Sequence, residues 1–563
     1  MSFFKDKIRK TISFFSPSQL AVIIFAIYFF IGSMIFQDYG ISLDESVERH
    51  TSIVNYVYVM GYVLRGSEHE SVRSIGYHTH PLYTLRDRHY GTFLQGITVA
   101  IEHLNNFEMT NRNIFLMRHY FTFINWFVGG VFLFLILKRR FPNSYIPIIG
   151  IFFFIINPRF FGGSFYNIKD ILFVAWCFIA CYFTLRWLED QQGKKFLLAS
   201  AFTIAVASNT RILGVAILLL AGGLVFLRDF SEKNNFEGVK QWLRLAIANF
   251  IFFVLITPFT WTNPIRNTLS MFFYFYSFTT WGGSHFFMGE MISRHVPWYY
   301  IPVWMGITLP ILYIILFVIG ITAFIYLIVH FFKQQIKSLI KTRVLEPLRN
   351  SSLHLYDVFF GTMFIFTLGG YIGLGISMYE GWRHAFILIL PFLYITVYGL
   401  YKIYSFIKGK KYFLRVILAL VVLASFVHTG TWMIRNHPYQ YVFFNVIARP
   451  FAEENFALDY WNVSFHDLAV YLYERSNKQI IYLYAGINPF LPLILTEDQN
   501  LRIRMTGWEN ADYVLQCSRL AYDRRVIGPG PDFVQIHAIT VDGMQIARLF
   551  QRVRPSMPVY QYE

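Results

Sequence analysis

Runs of about 20 mainly apolar residues recur along this chain, and a helix of that length spans the roughly 30 Å hydrocarbon layer of a bilayer. The first runs from Gln19 to Phe36. Others fall at about 114–137, 143–157, 171–188, 196–209, 212–227, 244–259, 303–329, 356–377, 384–402 and 412–429. Those at 143–157 and 196–209 are the shortest. Composition agrees with a membrane origin: 55% of the 563 residues are hydrophobic and 15% are charged, against about 25% charged in soluble domains. Soluble cores could not bury so much apolar surface, and disorder requires low hydrophobicity. Three cysteines exclude a disulfide scaffold. The expected fold is a polytopic α-helical membrane protein with about eleven transmembrane helices.

The distribution of charge sets an orientation. The chain carries 49 Lys and Arg against 33 Asp and Glu, a net +16. Lys5, Lys7, Arg9 and Lys10 precede the first apolar run, which has no small-residue cleavage site and reads as a retained anchor. The positive-inside rule then places the N-terminus in the cytoplasm. With eleven crossings the inner loops hold Lys138-Arg139-Arg140, Lys194-Lys195, Arg228 to Arg244, Lys333 to Arg349 and Lys402 to Lys411. The alternation does not break, so the positive charge is an orientation signal and needs no nucleic acid partner. The expected location is multi-pass in a plasma (inner) membrane. Residues 1–429 form the membrane module, with outer loops 37–113 and 260–302, and residues 430–563 form a periplasmic or extracellular domain.

That tail changes period. Ile480 to Tyr484 and Leu501 to Met505 read as strands, and two further strands flank Asp542-Gly543, a hairpin signal. A small soluble α/β or α+β domain is expected on the outer face. In the first outer loop, Glu48 to Leu64 and Tyr90 to Leu104 are amphipathic. They suit helices lying at the membrane interface or packed on the protein's own helices.

Ionisable groups near a membrane are costly unless paired or functional. Asp44 and Glu45 emerge just past the outer end of the first helix. They could place a base at membrane level, or serve as acids at a helix N-terminus. Asn157-Pro158-Arg159 to Lys169-Asp170 forms a Gly-containing turn at the same face, including Tyr166 and Asn167. Arg211 breaks two short apolar runs, and Arg383 and His384 follow Glu380-Gly381-Trp382. Arg159, Lys169, Arg211 and Arg383 could converge on one anionic headgroup or form separate pairs, Glu380 with Arg383 among them. Trp281 and His285 in the second outer loop offer aromatic planes suited to a sugar, or an interfacial belt. His69, His78, His80, His89 and Asp87 meet no zinc spacing. Cys177 and Cys181 read as packing residues, and no nucleotide loop or nucleophile elbow is present.

These features together resemble the GT-C membrane glycosyltransferases, and most closely family 39, with its protein O-mannosyltransferases, lipid A aminoarabinose transferases and bacterial relatives. The matching residues are Asp44-Glu45, Asn157-Pro-Arg to Lys169-Asp170, Thr210-Arg211, Pro258-Phe-Thr-Trp261-Thr-Asn-Pro264, Leu309-Pro310 and Gly381-Trp382-Arg383-His384. Asn436 to Asn445 and Asp459-Tyr460-Trp461-Asn462-Val-Ser464 look like a bacterial branch. The resemblance implies transfer of a sugar from a polyprenyl-phosphate carrier to an acceptor glycan, lipid or protein at the outer face, with inversion. It implies Asp44 as base and Glu45 as the second candidate. Lys169, Arg211, Arg383 and Arg159 would hold the donor phosphate, and Tyr166, Asn167, His384, Trp281 and His285 are candidates for sugar or acceptor contact. The lipid-linked donor is a substrate, so no tightly bound cofactor is expected. No Asp-x-Asp stands in the second outer loop, so no catalytic metal is expected either. The tail is unlike the three-lobed domain of eukaryotic O-mannosyltransferases, which argues against protein mannosylation. A non-enzymatic transporter or flippase of a lipid-linked or anionic substrate is the alternative. Such folds often show inverted repeats, and no repeat is visible.

Overall fold

A computed structural model describes residues 16–63, 82–106, 108–142, 144–190, 193–232, 236–277, 284–342, 353–378, 381–486, 488–517 and 529–553. Every expected apolar stretch becomes helix. The first is α1 (Pro17–Ile35), opened by a capping box in which Ser16 and Gln19 bond each other's backbone N–H. The segment after α1 then forms α2 (Leu43–Val63) and α3 (Phe93–Leu104). Next come α4 (Asn111–Arg140), α5 (Ile146–Ile155), α6 (Pro158–Tyr166), α7 (Asp170–Glu189) and α8 (Lys194–Thr210). They are followed by α9 (Val215–Glu232), α10 (Glu237–Ile256) and α11 (Pro264–Ser277). A hairpin of β1 (His285–Phe287) and β2 (Glu290–Ile292) precedes α12 (Tyr300–Thr308) and α13 (Ile311–Thr342). The last membrane helices are α14 (Leu355–Gly373), α15 (Ile389–Ile407) and α16 (Tyr412–Arg435).

Among the described residues nine helical segments are long and apolar enough to cross a bilayer, and ten if the bent pair α5–α6 counts as one. The expectation of eleven is therefore high. The α5–α6 pair bends by 60° at the break before Pro158, where proline's missing N–H and ring interrupt the helical ladder. The other short stretch, α8, ends in polar residues buried inside the protein, among them Ser208, Asn209 and Thr210. Its last turn is shaped for protein contact, not for lipid.

α2 and α3 pack on the protein's own helices. Thr51 to Asn55 of α2 are buried, as are Leu94, Gln95, Thr98, Val99 and Glu102 of α3. At the opposite end of the bundle Arg140 donates two bonds, of 2.8 and 2.7 Å, to Asp357. Arg139 pairs with Glu189 at 2.6 Å. Part of the cationic cluster 138–140 is thus neutralised within the protein.

After α16 the chain forms α17 (Ala452–Asn455), α18 (Phe465–Arg475), β3 (Ile481–Tyr484), α19 (Glu497–Arg502), β4 (Ile503–Met505), β5 (Tyr513–Cys517), β6 (Phe533–Val541) and β7 (Met544–Arg552). The sheet order is β4-β3-β5-β7-β6, with β3 parallel to β4 and β5 and the other pairings antiparallel. Asp542 and Gly543 turn the expected hairpin with positive φ. Asp542 also accepts a 2.7 Å bond from the Trp432 indole and pairs with Arg449, which fastens the hairpin to the C-terminal end of α16. The core under the sheet includes Ile41, Phe115 and Leu116, so the domain sits on the N-terminal end of α4 and on the α1–α2 connection.

Helices α13 and α15 approach closely through Gly320 and Gly399. A side chain on Gly399 would meet the Leu316 carbonyl, and one on Gly320 the Ile395 carbonyl. Small residues permit such approach in membrane bundles. Gly399→Leu should lower stability by about 1–3 kcal/mol, the usual cost of overpacking. Thermal denaturation in detergent measures it, and an unchanged transition would contradict the contact.

Candidate active site

The first turn of α2 is fixed from inside. Glu45 Oε1 accepts the Ser42 backbone N–H at 2.7 Å, and Oε2 meets His119 Nε2 of α4 at 2.8 Å. Both side chains are fully buried. Glu45 therefore anchors the turn and is directed into the bundle. Asp44 faces elsewhere: its Oδ2 accepts from Arg383 Nη1 at 2.7 Å. The Asp44 side chain is 43% exposed and that of Arg383 4%. Arg383 begins the 3-10 turn leading into α15, and its guanidinium lies 4.4 Å from the centre of the Trp461 ring.

The Asn157–Asp170 segment supplies a second cation. Asn167 Oδ1 accepts the Asp170 backbone N–H at 2.9 Å, which caps the start of α7. Lys169 pairs with Glu48 and lies 3.6 Å from the Tyr90 ring centre. Glu48 is one helical turn beyond Asp44 on α2, on the same face. Arg211, just past α8, pairs with Asp170. Three cations from three elements thus converge near Asp44, each holding a carboxylate. Burial alone would raise the Asp44 pKa, but Arg383, and then Lys169 and Arg211, outweigh it and hold the carboxyl below its ordinary value.

A deeper network braces this arrangement. Glu102 of α3 accepts from Arg49 at 2.7 Å and from Arg118 of α4 at 2.8 Å, and Arg118 also donates to Gln95. Arg118 and Glu102 are wholly buried.

A chamber of about 240 Å³ opens beside the cluster. His89, Arg211, Tyr371 and His384 give its polar lining, and α11 contributes Met271 and Phe275. An apolar cavity of about 400 Å³ runs between α9 and α14, and Leu213, Tyr371 and Ile376 line both spaces.

The other described candidates hold no part of the three ion pairs. Arg159 donates to the Phe443 carbonyl at 3.0 Å and stands over the Phe444 and Trp304 rings. Tyr166 packs edge-on against Tyr441 and Trp461. His285, in β1, is buried against Tyr300. Trp281, Glu380, His69, His78 and His80 lie outside the described residues. Among the described residues no group of three His, Cys, Asp or Glu side chains could hold a metal ion. The sequence reading found the cations and missed Glu48, whose spacing from Asp44 was the available signal. It also missed Trp461 as the ring under Arg383, a contact between distant segments that no local pattern announces.

No family model and no curated protein matches this chain. Among solved structures, the chain is similar to ArnT from Cupriavidus metallidurans in the apo state, with TM-score 0.43 and 11% identity over 95% of this chain and 98% of that one. The same protein bound to undecaprenyl phosphate gives 0.43 and 10% over 94% and 97%. The apo oligosaccharyltransferase of Archaeoglobus fulgidus gives 0.42 and 12% over 76% of this chain and 62% of that one.

His89 sits in the chamber wall, stacked on Tyr274 at 4.3 Å and bonded to Ser270. Burial, with a smaller effect of Arg88, lowers its pKa to about 4. The unfolded chain takes up this proton near pH 6.5, so the group subtracts stability as pH falls from about 6.5 to about 4. The melting temperature of the wild type should fall more steeply over that interval than that of His89→Gln. Equal slopes would contradict a neutral buried imidazole.

Proposed function

We propose that this protein is a GT-C-type glycosyltransferase that moves a hexosyl or pentosyl group from a polyprenyl-phosphate carrier to an acceptor at the outer face of the membrane. The observation that carries the reading is the meeting of Asp44 with Arg383, Lys169 and Arg211 beside a chamber that shares a wall with an apolar cavity. Such a site suits a ligand with an anionic head and a long apolar tail. The head would sit near the cations, and the tail would lie between α9 and α14, where Leu219, Leu227, Phe366 and Leu374 are exposed to the surroundings.

In the proposed step Asp44 takes the proton of the acceptor nucleophile, which forms the new bond to the anomeric carbon. The bond from that carbon to the phosphate oxygen breaks, and its electron pair leaves on the phosphate with inversion. A carboxylate within hydrogen-bond reach can act as this base. The leaving group is already a phosphate, so cations that meet its growing charge matter more than an acid. The reading assigns that task to Lys169, Arg211 and Arg383, not to a metal or a bound cofactor. Arg159 would act from behind its aromatic neighbours. His384 lines the chamber and is the favoured sugar contact, ahead of Tyr166, Asn167, Trp281 and His285. The acceptor is a glycan, lipid or protein. The orientation that fits has the Arg139–Arg140 end cytoplasmic and the sheet domain periplasmic or extracellular, in a plasma-type membrane.

The test uses purified full-length protein in nanodiscs, polyprenyl-phosphate mannose or aminoarabinose as donor, and cell-envelope extract as acceptor. Asp44→Asn should reduce transfer by about 10²–10⁴-fold, the contribution typical of a general base, with the unfolding temperature retained. Undiminished transfer would remove Asp44 from the reaction.

A further inference from the structure

We propose that Arg383 changes partner during the reaction cycle, leaving the Asp44 carboxylate for the carrier phosphate while Trp461 holds its guanidinium in place. The inference rests on the transfer reading and adds an order to it: the donor phosphate frees the base.

All three clamp cations hold a carboxylate, so an incoming phosphate competes with those carboxylates for them. The carboxylates differ in reach. The Glu48 side chain is 12% exposed and that of Asp170 1%, against 43% for Asp44. Ion pairs with an exposed partner are the weaker ones, and a guanidinium binds phosphate at least as well as carboxylate. The Arg383–Asp44 pair is therefore the one that opens. Arg383 itself is buried, and the Trp461 ring face lies against it, an attraction that grows when desolvated.

Trp461 is well placed to stay still. Asp459 accepts the backbone N–H groups of Val463 and Ser464 at 3.3 and 3.0 Å and the Ser464 hydroxyl at 2.5 Å, closing the loop that carries the ring. The Val463 carbonyl of that loop abuts Gly40, where any side chain would collide. Asp44 is at the start of the neighbouring helix and can turn toward the acceptor without disturbing the loop. Once parted from its cation, the carboxylate becomes a stronger base. Base strength is thereby coupled to donor occupancy, and Trp461 is a positioning residue for the exchange.

The two anions compete for one guanidinium, which sets the test. Binding of polyprenyl phosphate, the carrier without its sugar, is measured on full-length protein in nanodiscs of neutral lipid. Asp44→Asn should tighten binding about tenfold, within the range usual for coupled sites. Arg383→Ala should weaken it, and in that background Asp44→Asn should bring no gain. An unchanged affinity for Asp44→Asn overturns the exchange. So does a gain that persists without Arg383, because simple removal of negative charge would explain it. Trp461→Ala should weaken binding with wild-type melting behaviour, and Trp461→Phe should restore it. Full affinity in folded Trp461→Ala overturns the positioning role, as does failure of Trp461→Phe to restore binding when both variants are folded. Transfer surviving in Asp44→Asn would sink the base reading separately, since the binding measurements do not depend on turnover.

Discussion

A cation buried near a membrane must be met by a counter-charge or a polar shell, because the surroundings cannot solvate it. The end of the bundle that carries Asp44 is organised by that requirement. Arg383 meets Asp44, Lys169 meets Glu48, Arg211 meets Asp170, and Arg118 and Arg49 share Glu102. Each pair joins different elements of the fold. The charges a ligand would use are thus also the ones that tie α2, α3, α4, α7 and the start of α15 together. A site built this way is positioned by its own electrostatics.

The C-terminal domain is part of this arrangement. The core under its sheet includes Ile41, Phe115 and Leu116, and Tyr39 bonds Gln440 at 2.8 Å. Asn488 donates to the Ile41 carbonyl. The short segment between α1 and α2 is therefore held between the bundle and the domain, just before Asp44. Trp461, from the loop leading into α18, completes the shell around Arg383. The charges come from α2, α3, α4 and the segments beside α7, α8 and α15, and the C-terminal domain packs against them.

The helical frame was legible in the sequence because a membrane-spanning helix is written as one long apolar run. The two shortest runs were the two that fell below a full span. Strands β3, β4, β6 and β7 were visible from period and turn chemistry. Strand β5 was missed: Tyr513 to Cys517 is buried at every position, so it shows no alternation, and it is paired on both sides inside the sheet. At the site, the sequence marked the cations through their cost near a membrane. It could not mark their partners, because pairing is set by tertiary approach. Glu48 is the instructive case, since its spacing from Asp44 placed it on the same helix face while only the fold brought Lys169 to it. Glu45 shows the converse, as adjacent carboxylates on a helix point in different directions and here meet different partners.

The central claim is that Asp44 and a lipid phosphate share one cation. A structure of the full-length protein in nanodiscs with polyprenyl phosphate bound tests it most directly. The account predicts the phosphate within hydrogen-bond distance of Arg383, the Asp44–Arg383 bond open, and the Trp461 ring still against the guanidinium. A phosphate bound elsewhere, or beside an intact Asp44–Arg383 pair, would contradict it.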